Sequence, residues 1–160
     1  MRFAVLGSPV SHSLSPVIHT AALDALGIDG EYMAREVDES GLAAALAEIR
    51  SAALDGANVT MPHKAAAAAG SDRLEGAARR LGVVNTLSLE GSELVGRNTD
   101  APGIADAWER RGLPVGGPVH VLGGGGAARA ALLALEDRDL FVSTRRPGAA
   151  AGAAGCRSHG

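Results

Sequence analysis

Three clusters of short polar side chains stand out in this chain, and each could contact an oxygen-rich small molecule. The run NVTMPHK (residues 58–64) contains an amide, a hydroxyl and an amine. The run NTD (residues 98–100) adds a carboxylate, and the run SHSLSP (residues 11–16) adds three hydroxyls. Lys64 and Asp100 could act as a proton-handling pair, which predicts chemistry on a polyhydroxylated substrate.

A glycine run at residues 123–126 predicts a nucleotide site. The pattern Gly123-x-Gly125-x-x-Ala128 matches the dinucleotide fingerprint, and it lies between a predicted strand and a predicted helix. Gly123 permits the tight turn, Gly125 lets the backbone approach a pyrophosphate, and Ala128 allows close helix–strand packing. The alternative is a flexible glycine loop. With the polar clusters, the fingerprint favours a dehydrogenase.

The residues after the second strand of this unit favour NADP over NAD. An acidic residue that would hold the NAD ribose is missing, and Ser143-Thr144-Arg145-Arg146 stands in its place. Two guanidinium groups suit a 2′-phosphate, although arginines after a strand are often simply solvated. The predicted cofactor-binding residues are Gly123, Gly124, Gly125, Gly126, Ala127, Ala128, Thr144, Arg145 and Arg146.

Each candidate residue in the polar clusters also has a purely structural interpretation. Lys64 could be a surface lysine that opens a helix, and Asp100 could cap its helix. Ser15 could equally be an N-cap, a role that is compatible with ligand binding. Asn85 and Thr86 are harder to explain structurally, because a buried amide costs free energy unless it is paired. A site role is therefore favoured for Asn85.

Composition excludes several classes of function. The chain is 46% hydrophobic and 21% charged, which is typical of a soluble globular protein, and its net charge of −3 argues against a nucleic-acid or anionic-membrane partner. A single cysteine, Cys156, cannot form an internal disulfide, and no cysteine or histidine spacing resembles a zinc site. The first apolar run is too short for a signal peptide, and no later run could span a bilayer. We therefore expect a cytoplasmic protein without a metal.

Alternating strand and helix patterns position these clusters. Short apolar runs predict strands at Phe3–Leu6, Tyr32–Val37, Ala57–Met61, Val83–Leu89 and Glu93–Arg97. Helical spacing predicts helices from Ser15 to Leu26, at Ser40–Ser51, after Lys64, and at Leu74–Leu81. Strands that alternate with helices imply crossover connections, so we predict an α/β fold with a three-layer N-terminal domain and a mostly parallel sheet.

A second unit is predicted to start near residue 118. A helix is predicted from about Asp100 to Arg111. A strand–helix–strand pattern then opens a Rossmann-like dinucleotide-binding domain, with a strand at Val119–Leu122, a helix at Ala127–Leu135 and a strand at Asp139–Ser143. The predicted divisions are a substrate domain at 1–99, a connecting helix and linker at 100–117, a partial NADP-binding unit at 118–147, and a low-complexity tail without a strand pattern at 148–160.

Five segments together resemble the shikimate dehydrogenase family. They are GSPVSHSLSP (residues 7–16), NVTMPHK (58–64), GVVNTL (82–87), GRNTD (96–100) and the glycine turn, in that family's order and approximate spacing. The resemblance implies NADPH-dependent reduction of 3-dehydroshikimate to shikimate in aromatic amino-acid biosynthesis. It also implies that Lys64 and Asp100 form the catalytic pair, and that the carboxylate and hydroxyls of the substrate are bound by Ser13, Ser15, Asn58, Thr60, Lys64, Asn85 and Asp100.

The resemblance ends near Pro147, and members of the family are longer. We therefore expect a chain truncated within its cofactor domain, which leaves several functional alternatives open. An active enzyme would need a partner chain, for which a homodimer is the simplest form, or an unusual compact closure. Otherwise the chain would be an inactive shikimate-binding module or fragment. A quinate-using relative would differ only in its tolerance of one extra hydroxyl.

Overall fold

A computed structural model describes residues 1–114 and 116–144, together with the backbone of residues 157–158. The chain divides into two compact units, which we call unit 1 (Met1–Asn98) and unit 2 (Thr99–Gly160). Each unit is described by itself below. The finer domain boundaries given above stay predictions.

Unit 1 is a six-stranded sheet with helices on both faces. Its elements are β1 (Arg2–Gly7), α1 (Ser15–Ala25), β2 (Glu31–Glu36), α2 (Glu39–Arg50), β3 (Gly56–Val59), α3 (Lys64–Ala69), β4 (Arg73–Leu74), α4 (Ala77–Leu81), β5 (Thr86–Glu90) and β6 (Glu93–Arg97). The strand order is β2-β1-β3-β5-β6-β4, and β5 alone runs against the others. The predicted α/β class with a mostly parallel sheet is confirmed.

The side chains of β1 point alternately to the two faces of the sheet, which explains why helices cover both faces. Ala4 and Leu6 point to the face covered by α2, α3 and α4, where they join the main core with Ile49. Val5 and Phe3 point to the opposite face and pack with Leu23 of α1. Successive side chains of a strand point to opposite faces, so a continuous apolar run such as β1 can bury both sides.

The predicted helix at Leu74–Leu81 is wrong in its first half. Arg73–Leu74 forms strand β4 beside β6, and the helix α4 begins only at Ala77. Arg73 is held extended by ion pairs to Glu90 at 2.9 Å and to Glu93 at 3.0 Å. Gly76 then adopts a φ of 54°, which a residue with a side chain rarely adopts, and separates the strand from the helix.

Two further expectations in unit 1 need correction. Ser15 is not an N-cap, because it is the first residue of α1 and Leu14 occupies the cap position without a side-chain hydrogen bond. Instead the Ser13 hydroxyl accepts a hydrogen bond from the Ser15 backbone N–H at 3.2 Å. The strand predicted from Val83 begins at Thr86, since the preceding backbone bonds to Lys64 and Arg97 outside the β5 ladder.

Unit 2 contains a parallel strand–helix–strand unit. Its elements are α5 (Asp100–Arg110), β7 (Pro118–Leu122), α6 (Gly126–Ala134), β8 (Asp139–Ser143) and β9 (Arg157–Ser158). The strand order is β7-β8-β9, all parallel. Leu132, Leu140 and Val142 form its core with Trp108 packed against them. Strand β9 lies in the tail, where the sequence shows no strand pattern.

Candidate active site

The end of β1 and the NVTMPHK run meet where β1 and β3 end. The Thr60 backbone N–H donates to the Leu6 carbonyl at 2.9 Å, and the Ser8 N–H donates to the Met61 carbonyl at 3.1 Å. A Cβ added at Gly7 would lie 2.3 Å from the Thr60 methyl carbon, so only glycine lets the two segments approach this closely. The carboxyl ends of parallel strands are the edge at which α/β proteins bind ligands.

Asn58 of β3 is the centre of a hydrogen-bond network. Its Oδ1 accepts a hydrogen bond from the Tyr32 hydroxyl at 2.6 Å. Its Nδ2 donates to the Asn85 carbonyl at 3.2 Å and to the Thr86 hydroxyl at 3.3 Å. The Thr86 hydroxyl in turn donates to Asn85 Oδ1 at 3.0 Å. Strands β2 and β3 and the start of β5 thus hold polar side chains in one fixed arrangement.

Tyr32 extends this network to helix α1. Its ring stacks on His19 of α1 with ring centroids 4.3 Å apart. Burial raises the pKa of the Tyr32 phenol to about 12, and the Ser15 hydroxyl opposes part of that shift. Two of the predicted substrate residues, Asn58 and Asn85, are therefore connected directly and through Thr86.

Sequence reasoning did not select Tyr32 as a site residue. Tyr32 is the only tyrosine in the chain and lies in a predicted strand, where a buried hydroxyl needs a polar partner. That single signal could have pointed to a buried polar group. Which residue is the partner of the Tyr32 hydroxyl depends on the order of the strands in the sheet, and the local sequence does not predict that order.

Lys64 is the first residue of α3, and its side chain is half-buried. The Lys64 carbonyl accepts a hydrogen bond from the Val84 N–H at 2.9 Å. The neighbouring His63 is buried and donates from Nε2 to the Val37 carbonyl at 2.7 Å. The start of α3 is thus fixed on one side to Val37, just after β2, and on the other to the segment before β5.

Asn98 and Asp100 fall on either side of the division between the units. Asn98 is buried in unit 1 and donates from Nδ2 to the Val83 carbonyl at 3.3 Å. Asp100 is the half-buried first residue of α5 in unit 2, and Thr99 at the cap position makes no side-chain capping bond. The pairing of Lys64 with Asp100 therefore stays a prediction.

The glycine turn of unit 2 has the backbone shape that a pyrophosphate requires. Gly123 adopts a φ of 119°, and its N–H donates to the Ser143 carbonyl at 2.8 Å. Gly125 is extended, α6 begins at Gly126, and a Cβ at Gly123 would lie 4.0 Å from that of Ala128. The first N–H groups of a helix have no partner within it, so the turn presents donors to an anion. These residues fit a dinucleotide phosphate.

The adenosine end of the predicted cofactor site is described only in part. Thr144 directly follows β8 and is half-buried. Arg145 and Arg146, the predicted 2′-phosphate contacts, lie outside the described residues.

Within residues 1–114 and 116–144, no group of three or more histidine, cysteine, aspartate or glutamate side chains could hold a metal ion. In the same part of the chain, no helix has the length and apolar character needed to cross a membrane.

Comparison with known proteins identifies the family. Residues 5–87 match the family model described as the shikimate dehydrogenase substrate binding domain. The chain is 46% identical over 142 residues to "Shikimate dehydrogenase (NADP(+))" of Thermus thermophilus, which covers 89% of this chain and 54% of that protein. The protein of the same name from Geobacter metallireducens is 47% identical over 133 residues, and the aligned region covers 82% of this chain and 46% of that protein. The chain thus spans about half the length of these curated relatives.

Solved structures give the same result. The crystal structure of shikimate 5-dehydrogenase from Thermus thermophilus in complex with NADP(H) and shikimate superposes with a TM-score of 0.91 at 43% identity, covering 100% of this chain and 63% of that one. Shikimate dehydrogenase from Aquifex aeolicus superposes with a TM-score of 0.92 at 31% identity, covering 100% and 62%. Because the family model spans more than half of the chain and includes the Asn58 network, this chain belongs to the shikimate dehydrogenase family.

Proposed function

We propose that this chain is the substrate-binding part of an NADP-dependent shikimate dehydrogenase, which interconverts 3-dehydroshikimate and shikimate. The observation that carries the proposal is the network around Asn58 that includes Tyr32 and Asn85, since polar side chains held in fixed directions suit a ring that carries several hydroxyls. The matched relatives are named for this reaction, and one solved relative binds both shikimate and NADP(H).

The proposed substrate contacts are Ser13, Ser15, Asn58, Thr60, Lys64, Asn85 and Asp100. In unit 1 the serines come from the segment before α1 and from its first turn, and Thr60 and Lys64 flank the end of β3. Hydroxyl, amide and ammonium groups donate hydrogen bonds to a carboxylate, and amide oxygens accept them from substrate hydroxyls. This mixture of groups matches a substrate with one carboxylate and several hydroxyls.

Lys64 and Asp100 are proposed as the catalytic pair. Bound NADPH would supply a hydride to the ketone carbon of 3-dehydroshikimate. As negative charge grows on the ketone oxygen, the Lys64 ammonium stabilises that charge and donates a proton to the oxygen. Asp100 would orient Lys64 and accept a hydrogen bond from the neighbouring hydroxyl.

Unit 2 is proposed to hold the cofactor. The turn at Gly123–Ala128 would place backbone N–H groups against the pyrophosphate. Thr144, Arg145 and Arg146 would bind the adenosine 2′-phosphate, which favours NADP over NAD. Measuring the affinity of the chain for NADP⁺ and NAD⁺ separately tests this part of the proposal, because a preference for NAD⁺ would contradict it.

The decisive experiment is reduction of NADP⁺ by shikimate with the purified 160-residue chain, produced in a host that lacks its own enzyme. Turnover that Lys64→Ala removes would support the full proposal, and quinate run in parallel would define the substrate preference. Binding of shikimate by calorimetry without turnover would limit the function of the chain to substrate binding. Absence of both binding and turnover would contradict the proposal.

A further inference from the structure

We propose that Tyr32 is a positioning residue, which fixes the Asn58 side-chain amide so that Asn58 meets the ligand as the acceptor of a hydroxyl proton. The inference rests on the proposed function, and it narrows the group that Asn58 can bind. It assigns Asn58 to a hydroxyl of the substrate and excludes the carboxylate and the ketone, because neither of those groups has a proton to donate.

The partners of Asn58 determine which of its atoms faces which neighbour. The Asn85 backbone carbonyl can only accept a hydrogen bond, so the amide atom 3.2 Å from it must be the nitrogen. The atom 2.6 Å from the Tyr32 hydroxyl is then the oxygen, and the phenol must be the donor. The orientation of the amide follows from its contacts, and Tyr32 is the partner that holds the oxygen end.

Counting the hydrogen-bonding capacity of Asn58 shows what remains for a ligand. Nδ2 carries two hydrogens, and its two acceptors are the Asn85 carbonyl and the Thr86 hydroxyl. Oδ1 has two lone pairs, and the Tyr32 hydroxyl occupies one of them. The remaining capacity is one acceptor position on Oδ1. A substrate hydroxyl can donate to it.

Strand order explains how Tyr32 reaches Asn58. Tyr32 pairs with Phe3, and Asn58 pairs with Val5, on opposite sides of β1. Phe3 and Val5 are two residues apart on one strand, so Tyr32 and Asn58 lie on the same face of the sheet. The tyrosine side chain crosses β1 diagonally and is only 8% exposed, with its ring stacked on His19. The burial of the side chain and the bond to Asn58 leave the hydroxyl little freedom.

The nearby Ser15 does not compete with this role. Because Tyr32 uses its only proton for Asn58, the Ser15 hydroxyl can face the phenol oxygen only as a donor, the direction in which it lowers the pKa of the phenol. A serine hydroxyl rotates about its C–O bond, so Ser15 can redirect its proton to an anionic ligand while the bond between Tyr32 and Asn58 is kept.

The first test needs no ligand. We would measure by NMR the hydrogen exchange of the Asn58 side-chain amide in the 160-residue wild-type chain, in Tyr32→Phe and in His19→Ala. Tyr32→Phe should accelerate the exchange of Asn58 about tenfold, since it removes one hydrogen bond and keeps the ring. The Asn98 amide, held by the Val83 carbonyl, is the internal reference and should not change. His19→Ala keeps the hydroxyl and should have little effect.

An Asn58 amide that exchanges equally fast in wild type and in Tyr32→Phe would overturn the proposal. This result would not depend on whether the chain binds shikimate. Equal acceleration of Asn58 and Asn98 would also overturn it, because it would indicate general loosening of unit 1.

The second test measures specificity. Dissociation constants are determined by calorimetry for shikimate and for each analogue that lacks one hydroxyl, with wild type, Tyr32→Phe and Asn58→Ala. Tyr32→Phe should weaken shikimate binding roughly fivefold to tenfold. One analogue lacks the hydroxyl that donates to Asn58, and it is identified as the analogue whose affinity Asn58→Ala does not change. Tyr32→Phe should also leave the affinity for that analogue unchanged.

Uniform weakening across all analogues would contradict the positioning role. If the wild-type chain binds no shikimate, the proposed function fails, while the exchange measurement still decides the role of Tyr32. The two proposals can therefore fail separately.

Discussion

At the scale of single residues, Lys64 is the most informative position, because it is the only lysine in the sequence. Its backbone is fixed by bonds to the segment before β5, so a substitution of its side chain should leave the site otherwise intact. The other side chains that are cationic at neutral pH are arginines, which do not release their protons at ordinary pH. Lys64 is thus the one cation of unit 1 for which we propose proton transfer.

We expect Lys64→Ala to reduce turnover by roughly 10²–10⁴-fold and to leave NADP binding intact, since the side chain acts on the ketone oxygen. NADPH formation with shikimate measures the first effect, and a fluorescence titration with NADPH measures the second. Lys64→Arg keeps the positive charge and serves as the matched control. A Lys64→Ala variant that keeps most of its kcat would remove Lys64 from the chemistry.

The buried Tyr32 phenol should make the free energy of unfolding depend on pH in the alkaline range. Burial raises its pKa to about 12 in the folded chain, above its ordinary value of 10.0. The unfolded chain therefore loses the proton at lower pH than the folded chain, so the stabilisation is complete below about pH 10 and is lost as the pH rises towards 12. Denaturant unfolding across this range should show the decline, and Tyr32→Phe should make it shallower. An equal decline in both proteins would assign it to other groups.

At the scale of elements, the close contact of β1 with the segment after β3 makes Gly7 a critical position. Gly7→Ala places a Cβ 2.3 Å from the Thr60 methyl carbon and 3.2 Å from the Met61 carbonyl. We expect a loss of about 1–3 kcal/mol in the free energy of unfolding, measured with urea.

Two variants control for this prediction. Thr60→Ser removes the methyl group, so it should restore part of the stability that Gly7→Ala loses. Gly103→Ala in α5 meets no atom within 4 Å, and it should be neutral or stabilise the chain by up to about 1 kcal/mol, because alanine favours a helix more than glycine does. If Gly7→Ala and Gly103→Ala had equal effects, the contact with Thr60 would not matter.

The elements also show what local sequence can and cannot predict. Apolar runs bounded by glycine or polar residues located β1, β6 and β8 within about two residues, because each run buries its side chains wherever it pairs. The strand β4 was missed because two residues carry no periodicity, and Arg73 is extended only through its distant partners in β5 and β6.

The same limit applies to the candidate site. The residues that resemble a family motif could be chosen from the sequence, as Asn58, Lys64 and Asn85 were. Tyr32 could not, since its contact with Asn58 requires β2 and β3 to pair on opposite sides of β1 in a particular register. A register shift by one residue would turn Tyr32 to the other face of the sheet.

At the scale of the whole molecule, ligand binding should be visible as a change in stability. A ligand that binds only the folded state raises the free energy of unfolding by about 2.7 kcal/mol at a concentration 100 times its Kd. We therefore expect shikimate to raise the thermal midpoint of the 160-residue chain in scanning calorimetry. Asn58→Ala, which removes the centre of the network, is the comparison variant and should show a smaller shift at the same concentration. An unchanged midpoint for wild type at saturating shikimate would argue against a substrate site in unit 1.

The placement of the two large fluorescent side chains has a consequence for motion. Tyr32 lies in unit 1 and Trp108 in unit 2, and the sequence contains no other tyrosine or tryptophan. Resonance energy transfer from a tyrosine to a tryptophan falls steeply with their separation. The 160-residue chain therefore contains one donor and one acceptor, each in a different unit, and tryptophan emission excited through Tyr32 depends on the distance between them without an added dye. Any change in that distance when a ligand binds would appear as a change in the emission.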